Sequence, residues 1–178
     1  LRSQEVDSYS DSASSAQELY KMKEYDSALI SYERAKKLQN SIKMSAAERA
    51  KLDIELGQTA YRSEDYTKAL AHFQNAVQAE SDIIKRAALL RNLGNTSMQL
   101  KNIDQAIDFY KQGIKLHPED AELKYNLSQA LRQRSQSNNP ESQQNQMDNG
   151  GDNKQTQSKS NEQNKSQNKE KAYSFEEE

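Results

Sequence analysis

The chain has 178 residues and a formal net charge of −2, from 25 Lys and Arg against 27 Asp and Glu. It contains no cysteine, which excludes disulfides and thiolate metal sites, and only 33% of its residues are hydrophobic. No stretch approaches the roughly 18–20 consecutive apolar residues that a transmembrane helix needs, and the balance of charge offers no basic surface to nucleic acid.

Helical patterns fill the chain up to residue 135, after a polar start at 1–7 that is predicted to be frayed. Asp26 is placed to cap a second helix, and Ser45 with Glu48 has the spacing of a capping box. Ser81 or Asp82 can cap a later helix, and Pro118 suits the first turn of a last one. The helices are predicted at about 8–23, 26–39, 46–62, 66–80, 82–100, 104–116 and 118–134.

A repeat links these helices in pairs. Ala28, Ala69 and Ala106 recur at intervals of 41 and 37 residues, and a large aromatic follows each alanine four positions later. A small residue precedes each alanine by twelve positions. The matching sets are Ala16, Gly57 and Gly94; Tyr25, Tyr66 and Ile103; Tyr32, Phe73 and Tyr110; and Ala35, Ala76 and Gly113. Small residues opposite large ones are typical of two helices that approach closely.

This pattern resembles the tetratricopeptide repeat family over residues 8–135. Both intervals exceed the 34 residues of an ideal repeat, which predicts longer connections. The resemblance implies an all-α fold: a right-handed superhelical array of three helix pairs with a C-terminal capping helix. The repeats would cover about 8–40, 45–81 and 82–118, and the cap, whose Leu123, Leu127 and Leu131 recur every four residues, about 119–135.

Composition changes sharply after this region. Residues 136–171 include 21 Asn, Gln or Ser among 36 positions, and they hold a single large apolar side chain, Met147. Such a segment cannot bury enough apolar surface to offset its chain entropy. We therefore predict that 136–178 is a disordered tail that acts as a tether, although its last seven residues regain two aromatics beside acids and could also dock.

No pattern in the sequence indicates catalysis. His72 and His117 are the only histidines, and neither has a second ligand at a recognised metal spacing, so both are predicted to be solvated. The sequence has no phosphate-binding loop and no nucleophile elbow. We expect no enzyme activity, no cofactor and no metal.

The resemblance instead implies a protein-binding groove on the concave surface, which the first helix of each pair would line. Its residues here would recur every three or four positions, on one helix face. The predicted groove residues are Tyr20, Lys51, Ile54, Gln58, Tyr61, Arg62, Arg91, Asn95, Met98, Tyr125, Asn126 and Gln129. Their apolar and aromatic members would form a stripe suited to a peptide or a partner helix. Alternatively, Tyr20, Tyr61 and Met98 pack between helices.

Some members of the family hold a peptide's terminal carboxylate with a clamp of basic and asparagine side chains. Arg91, Asn95 and Asn126 match its first three places, but the remaining basic places would need a further helix pair. Starting the clamp one repeat earlier puts Glu55 and Glu122 where they would repel a carboxylate. The sequence therefore argues against such a clamp.

The chain also resembles the tetratricopeptide proteins of bacterial Bat aerotolerance operons. The resemblance rests on its long-period repeats, its Gln/Asn-rich tail and a cap that reads Glu122-Leu123-Lys124-Tyr125-Asn126-Leu127. That resemblance implies a periplasmic or membrane-associated scaffold beside von Willebrand factor A-domain proteins and a MoxR-type ATPase; the alternative is a cytoplasmic location. We predict a non-catalytic interaction scaffold. The competing hypothesis is a self-assembling structural protein whose groove holds its own tail or another copy.

Overall fold

The computed structural model describes residues 2–138, and side chains from Gln4 onward. Within them the protein is all-α and no strand forms. The helices are α1 (Arg2–Lys21), α2 (Tyr25–Leu38), α3 (Ala46–Arg62), α4 (Tyr66–Ala79), α5 (Ile83–Gln99), α6 (Ile103–Leu116) and α7 (Ala121–Ser137). The all-α prediction is confirmed. Most of the predicted tail, from residue 139 onward, lies outside the described residues.

The chain forms two compact units, and their boundary falls inside α5. Unit 1 extends to Leu89 and contains α1 to α4 with the first turns of α5; unit 2 begins at Leu90 and contains the rest of α5, α6 and α7. In unit 1, α1 packs on α2, α2 on α3, and α3 on α4. In unit 2, α6 packs on α7.

The aligned small residues lie where the helices of a pair approach most closely. Ala28, Ala69 and Ala106 are completely buried. A Cβ atom added to Gly57 of α3 would lie 2.7 Å from Cδ1 of Phe73 in α4. The equivalent Gly94 of α5 faces the Tyr110 ring of α6 in the same way. The predicted pairing of small and large residues is thus confirmed in both units.

The turn inside each pair repeats as well. Lys23, Glu64 and Lys101 have φ values of 63°, 64° and 64°, and they recur at the same intervals as the alanines. This left-handed conformation ends the first helix and lets the following N–H groups bond back to it. One example is the bond from Asn102 N to Ser97 O, at 2.9 Å.

Four of the predicted helix ends are wrong. The N-terminus predicted to be frayed is helical from Arg2. Asp26 does not cap α2, because that helix already begins at Tyr25, after Glu24, with no side-chain cap. Pro118 lies in a turn, and α7 begins later, at Ala121, because the Asp120 carboxylate accepts from Leu123 N at 2.9 Å. The last helix also continues to Ser137, two residues into the predicted tail.

Two predicted caps are confirmed. Ser45 Oγ accepts from Glu48 N at 3.2 Å, and Glu48 Oε2 accepts from Ser45 N at 2.7 Å, which completes the capping box. At the start of α5 the Asp82 carboxylate accepts from Ile84 N at 2.8 Å and from Lys85 N at 3.0 Å. These bonds satisfy amide groups that the first turn of a helix otherwise leaves without partners.

A buried carboxylate joins three helices of unit 1. Asp53 of α3, whose side chain is 7% exposed, accepts from Lys36 Nζ of α2 at 2.7 Å. Its other oxygen lies 2.9 Å from His72 Nδ1 of α4, so the prediction that His72 is simply solvated is wrong. Burial raises the pKa of Asp53, but the hydrogen bonds and charges of His72 and Lys36 lower that pKa by more, so it lies below its ordinary value.

We expect Gly57→Ala to destabilise the protein. Alanine favours a helix by about 1 kcal/mol, but the crowding against Phe73 costs about 1–3 kcal/mol, so the net loss should be up to about 2 kcal/mol. Urea denaturation would measure it. Combining the change with Phe73→Leu should cost less than the sum of the two single changes, because the smaller side chain leaves room for the new methyl. An increase in stability for Gly57→Ala alone would contradict the close contact.

We expect Asp53→Asn to lower the unfolding free energy by about 2–3 kcal/mol at neutral pH, because it leaves Lys36 without its buried counter-charge. Since the folded pKa of Asp53 lies below the unfolded value of about 3.9, its contribution is present above that value and is lost as the pH falls through the folded pKa. The difference in unfolding free energy between the native protein and the variant should therefore shrink below about pH 4. Exposed Asp108→Asn is the control, and an equal loss in both variants would exclude this role.

Candidate functional site

In unit 1 the predicted binding residues lie on α1 and α3, and two of the six are buried. Tyr61 is 0% exposed, and its ring packs edge-on against Tyr66 with 5.3 Å between the centroids. The prediction that Tyr61 belongs to an exposed stripe is wrong, because the ring fills the core of the pair. Gln58, at 7%, is also buried.

The other four predicted residues of unit 1 reach the surface. Lys51 is exposed, and Tyr20, Ile54 and Arg62 are half-buried. The Tyr20 ring meets the Tyr25 ring edge-on at 5.3 Å, and the Arg62 guanidinium lies 5.4 Å from the centroid of that same Tyr25 ring. Of these four residues, Ile54 is therefore the apolar one that does not take part in the contacts with the Tyr25 ring.

The face between α1 and α3 also carries negative charge. Gln17 Nε2 of α1 donates to Glu55 Oε1 of α3 at 3.4 Å. Burial raises the pKa of Tyr9 in α1, and the negative charges of Glu55 and Glu48 raise it further. A partner at this face must therefore complement carboxylates as well as Lys51.

In unit 2 the predicted asparagines form a buried network. Asn95 of α5 is 0% exposed and Asn126 of α7 is 5% exposed. Asn95 Oδ1 accepts from Tyr110 Oη of α6 at 2.8 Å and from Asn126 Nδ2 at 2.9 Å. Asn95 Nδ2 is buried and has no hydrogen-bond partner among the described residues.

Arg91 lies one turn before Asn95 and is held by two carboxylates. Its Nη1 atom is 2.6 Å from Glu122 Oε2 and 3.5 Å from Asp120 Oδ2. The Arg91 side chain is only 8% exposed. Sequence reasoning identified Arg91, Asn95 and Asn126, but it missed the contributions of Asp120 and Tyr110. The cap position of Asp120 and the repeat position of Tyr110 were visible in the sequence, yet neither showed which side chain it would meet.

The remaining predicted residues of unit 2 line its surface. Tyr125 is 48% exposed, Gln129 is exposed, and Met98 is half-buried. Among the predicted residues of the two units, the apolar side chains that keep accessible surface are Tyr20, Ile54, Met98 and Tyr125. The stripe that the sequence predicted therefore lacks Tyr61, and a binding role for these residues stays a prediction.

Few groups suited to metal or covalent chemistry come together here. Among residues 4–138, no three His, Cys, Asp or Glu side chains are placed to share a metal ion. The Asp53 carboxylate is already bonded to Lys36 and His72, which indicates a structural role. None of the described helices is long and apolar enough to span a membrane.

Comparisons with known proteins agree with this architecture. A curated relative, the anaphase-promoting complex subunit cut9 of Schizosaccharomyces pombe, is 38% identical over 73 residues, which is 39% of this chain and 11% of that protein. The chain thus matches only about a tenth of that relative's length.

Two solved structures share the fold at low identity. The C-terminal tetratricopeptide domain of a Plasmodium falciparum FK506-binding protein has a TM-score of 0.63 and 16% identity, over 77% of this chain and 95% of that chain. The first tetratricopeptide domain of Spaghetti, bound to the HSP90 peptide SRMEEVD, has a TM-score of 0.56 and 15% identity, over 72% of this chain and 94% of that chain.

Two family models, both described as tetratricopeptide repeat, match residues 13–82 and 48–119. Together they cover residues 13–119, from within α1 to the turn after α6. This part of the chain therefore consists of tetratricopeptide repeats.

Proposed function

We propose that this protein is a non-catalytic protein–protein interaction scaffold, and that a peptide or a partner helix binds to the first helices of its pairs. The observation that carries the proposal is in unit 2, where half-buried Met98 and exposed Tyr125 and Gln129 share helix faces with the buried Asn95–Asn126 network. These three side chains keep accessible surface, and apolar groups beside an amide are suited to binding a peptide or a partner helix.

Unit 1 supports the same role by a different surface. Ile54 of α3 keeps accessible area, and the same helix carries Lys51 and Arg62, with Glu55 next to Ile54 in sequence. An apolar anchor surrounded by charges of both signs favours a partner that offers one apolar side chain and polar neighbours. The similar Spaghetti structure holds a peptide, and for this reason we propose a peptide as the kind of partner.

A finer proposal places the scaffold in the cell envelope, periplasmic or membrane-associated, with von Willebrand factor A-domain proteins and a MoxR-type ATPase. It rests on the order of repeats, cap and tail in the sequence. The similar proteins named above are of other kinds and lend it no support. Fractionation of source cells, with an antibody to this chain, tests it, and recovery only in the cytoplasmic fraction would exclude it.

The competing proposal is self-assembly, in which the binding face holds the tail or another copy. Light scattering during size-exclusion chromatography separates the two. A mass that grows with concentration supports self-assembly, whereas a constant mass supports binding of a separate partner.

We expect Ile54→Asp to weaken partner binding at least about tenfold, because a buried apolar contact is replaced by a charge that must be desolvated. The full chain serves as bait on immobilised resin, and the affinity of the captured protein is then measured for each variant. Tyr61 is unsuitable for this test, because changes to a fully buried ring would disturb folding.

Ile30→Asp is the matched control. Ile30 is 61% exposed on α2, the second helix of its pair, so the same substitution there should leave binding unchanged. Thermal denaturation confirms that both variants remain folded. Equal loss in both variants, or loss in neither, would contradict a binding face at Ile54.

A further inference from the structure

The charge balance around Arg91 is unusual for a buried cation on a binding face. Two carboxylates, Glu122 and Asp120, contact the same Nη1 atom at 2.6 Å and 3.5 Å. Asp120 is fixed in this position, because its other oxygen caps α7 by accepting from Leu123 N. Glu122 is more accessible, with 34% of its side chain exposed. The three groups together carry a net negative charge.

This arrangement opposes binding of an anion. An approaching carboxylate would meet the charges of Glu122 and Asp120 before it could bond to Arg91, and displacing either one would cost a buried ion pair. A neutral carbonyl meets no such repulsion.

We propose that Glu122 sets the specificity of unit 2, so that the face around Arg91 rejects a peptide's carboxyl end and accepts a segment that is neutral where it passes Arg91. This inference rests on the proposed binding function and deepens it by naming the class of ligand. Specificity here comes from a built-in repulsive element rather than from an added attraction.

The HSP90 peptide SRMEEVD, bound in the similar Spaghetti structure, supplies the probe. It is synthesised with a fluorophore at its N-terminus, once with a free carboxyl end and once with a carboxamide end. The two forms differ at one terminal group and in one charge. Fluorescence anisotropy measures the affinity of the full chain for each form, and the ratio of the two affinities reports on the terminal group alone.

The native chain should not prefer the free acid over the amide. Glu122→Gln should raise the acid-to-amide ratio about fivefold, which corresponds to about 1 kcal/mol for one partly exposed charge. Glu122→Lys should raise the ratio further. This increase in the acid-to-amide ratio should become smaller as salt is added, since its origin is electrostatic.

Glu119→Gln is the control, because Glu119 is exposed in the same turn, and no ion pair to Arg91 is seen for it among the described contacts. It removes the same charge but should leave the ratio unchanged. Thermal denaturation shows whether each variant is folded.

Three results would overturn the inference: a native chain that already prefers the free acid, a ratio that Glu122→Gln and Glu122→Lys leave unchanged, or no binding by any variant. The first of these would still support peptide binding, so it separates this inference from the proposed function. The partner experiment with Ile54→Asp judges that function independently, in unit 1.

Discussion

Close contact between a glycine and an aromatic ring is the constraint on which two of the three helix pairs depend. Gly57 lies against Phe73 in unit 1, and Gly94 lies against Tyr110 in unit 2. A side chain on either glycine would push the two helices of its pair apart, and the repeated spacing of the buried alanines would then no longer bring their faces together. Because the same contact recurs, the two units build equivalent pairs from different neighbouring sequences.

The two units differ in the buried polar group that joins their helices. In unit 1 the Asp53 carboxylate joins α2, α3 and α4 through Lys36 and His72. In unit 2 the corresponding role is neutral, because Asn95 joins α5, α6 and α7 through Tyr110 and Asn126. A fully bonded polar group fixes one arrangement of its helices, since any shift would leave it buried without a partner. In the neutral network one buried donor, Asn95 Nδ2, has no partner among the described residues.

The chemistry of the surface depends on which side chains remain accessible once these internal contacts have formed. Tyr61 fills the core, so it cannot belong to a binding stripe. Arg91 is held by carboxylates of its own chain, so its charge does not attract an anionic peptide end. Among the predicted binding residues, a few apolar side chains stay accessible beside amides and charged groups. The proposed binding of a peptide segment would use this surface.

The sequence by itself determined the helix pairs, because the recurrence of small and aromatic residues is local and periodic, and a capping box needs only four consecutive residues. It also identified Arg91, Asn95 and Asn126 as neighbours on helix faces. Only the tertiary structure decided that Tyr61 is buried, that His72 contacts Asp53 and which carboxylates pair with Arg91. Burial and ion pairing depend on residues far apart in the chain. A helix face can be derived from spacing alone, whereas the side chain that it meets depends on how the helices pack.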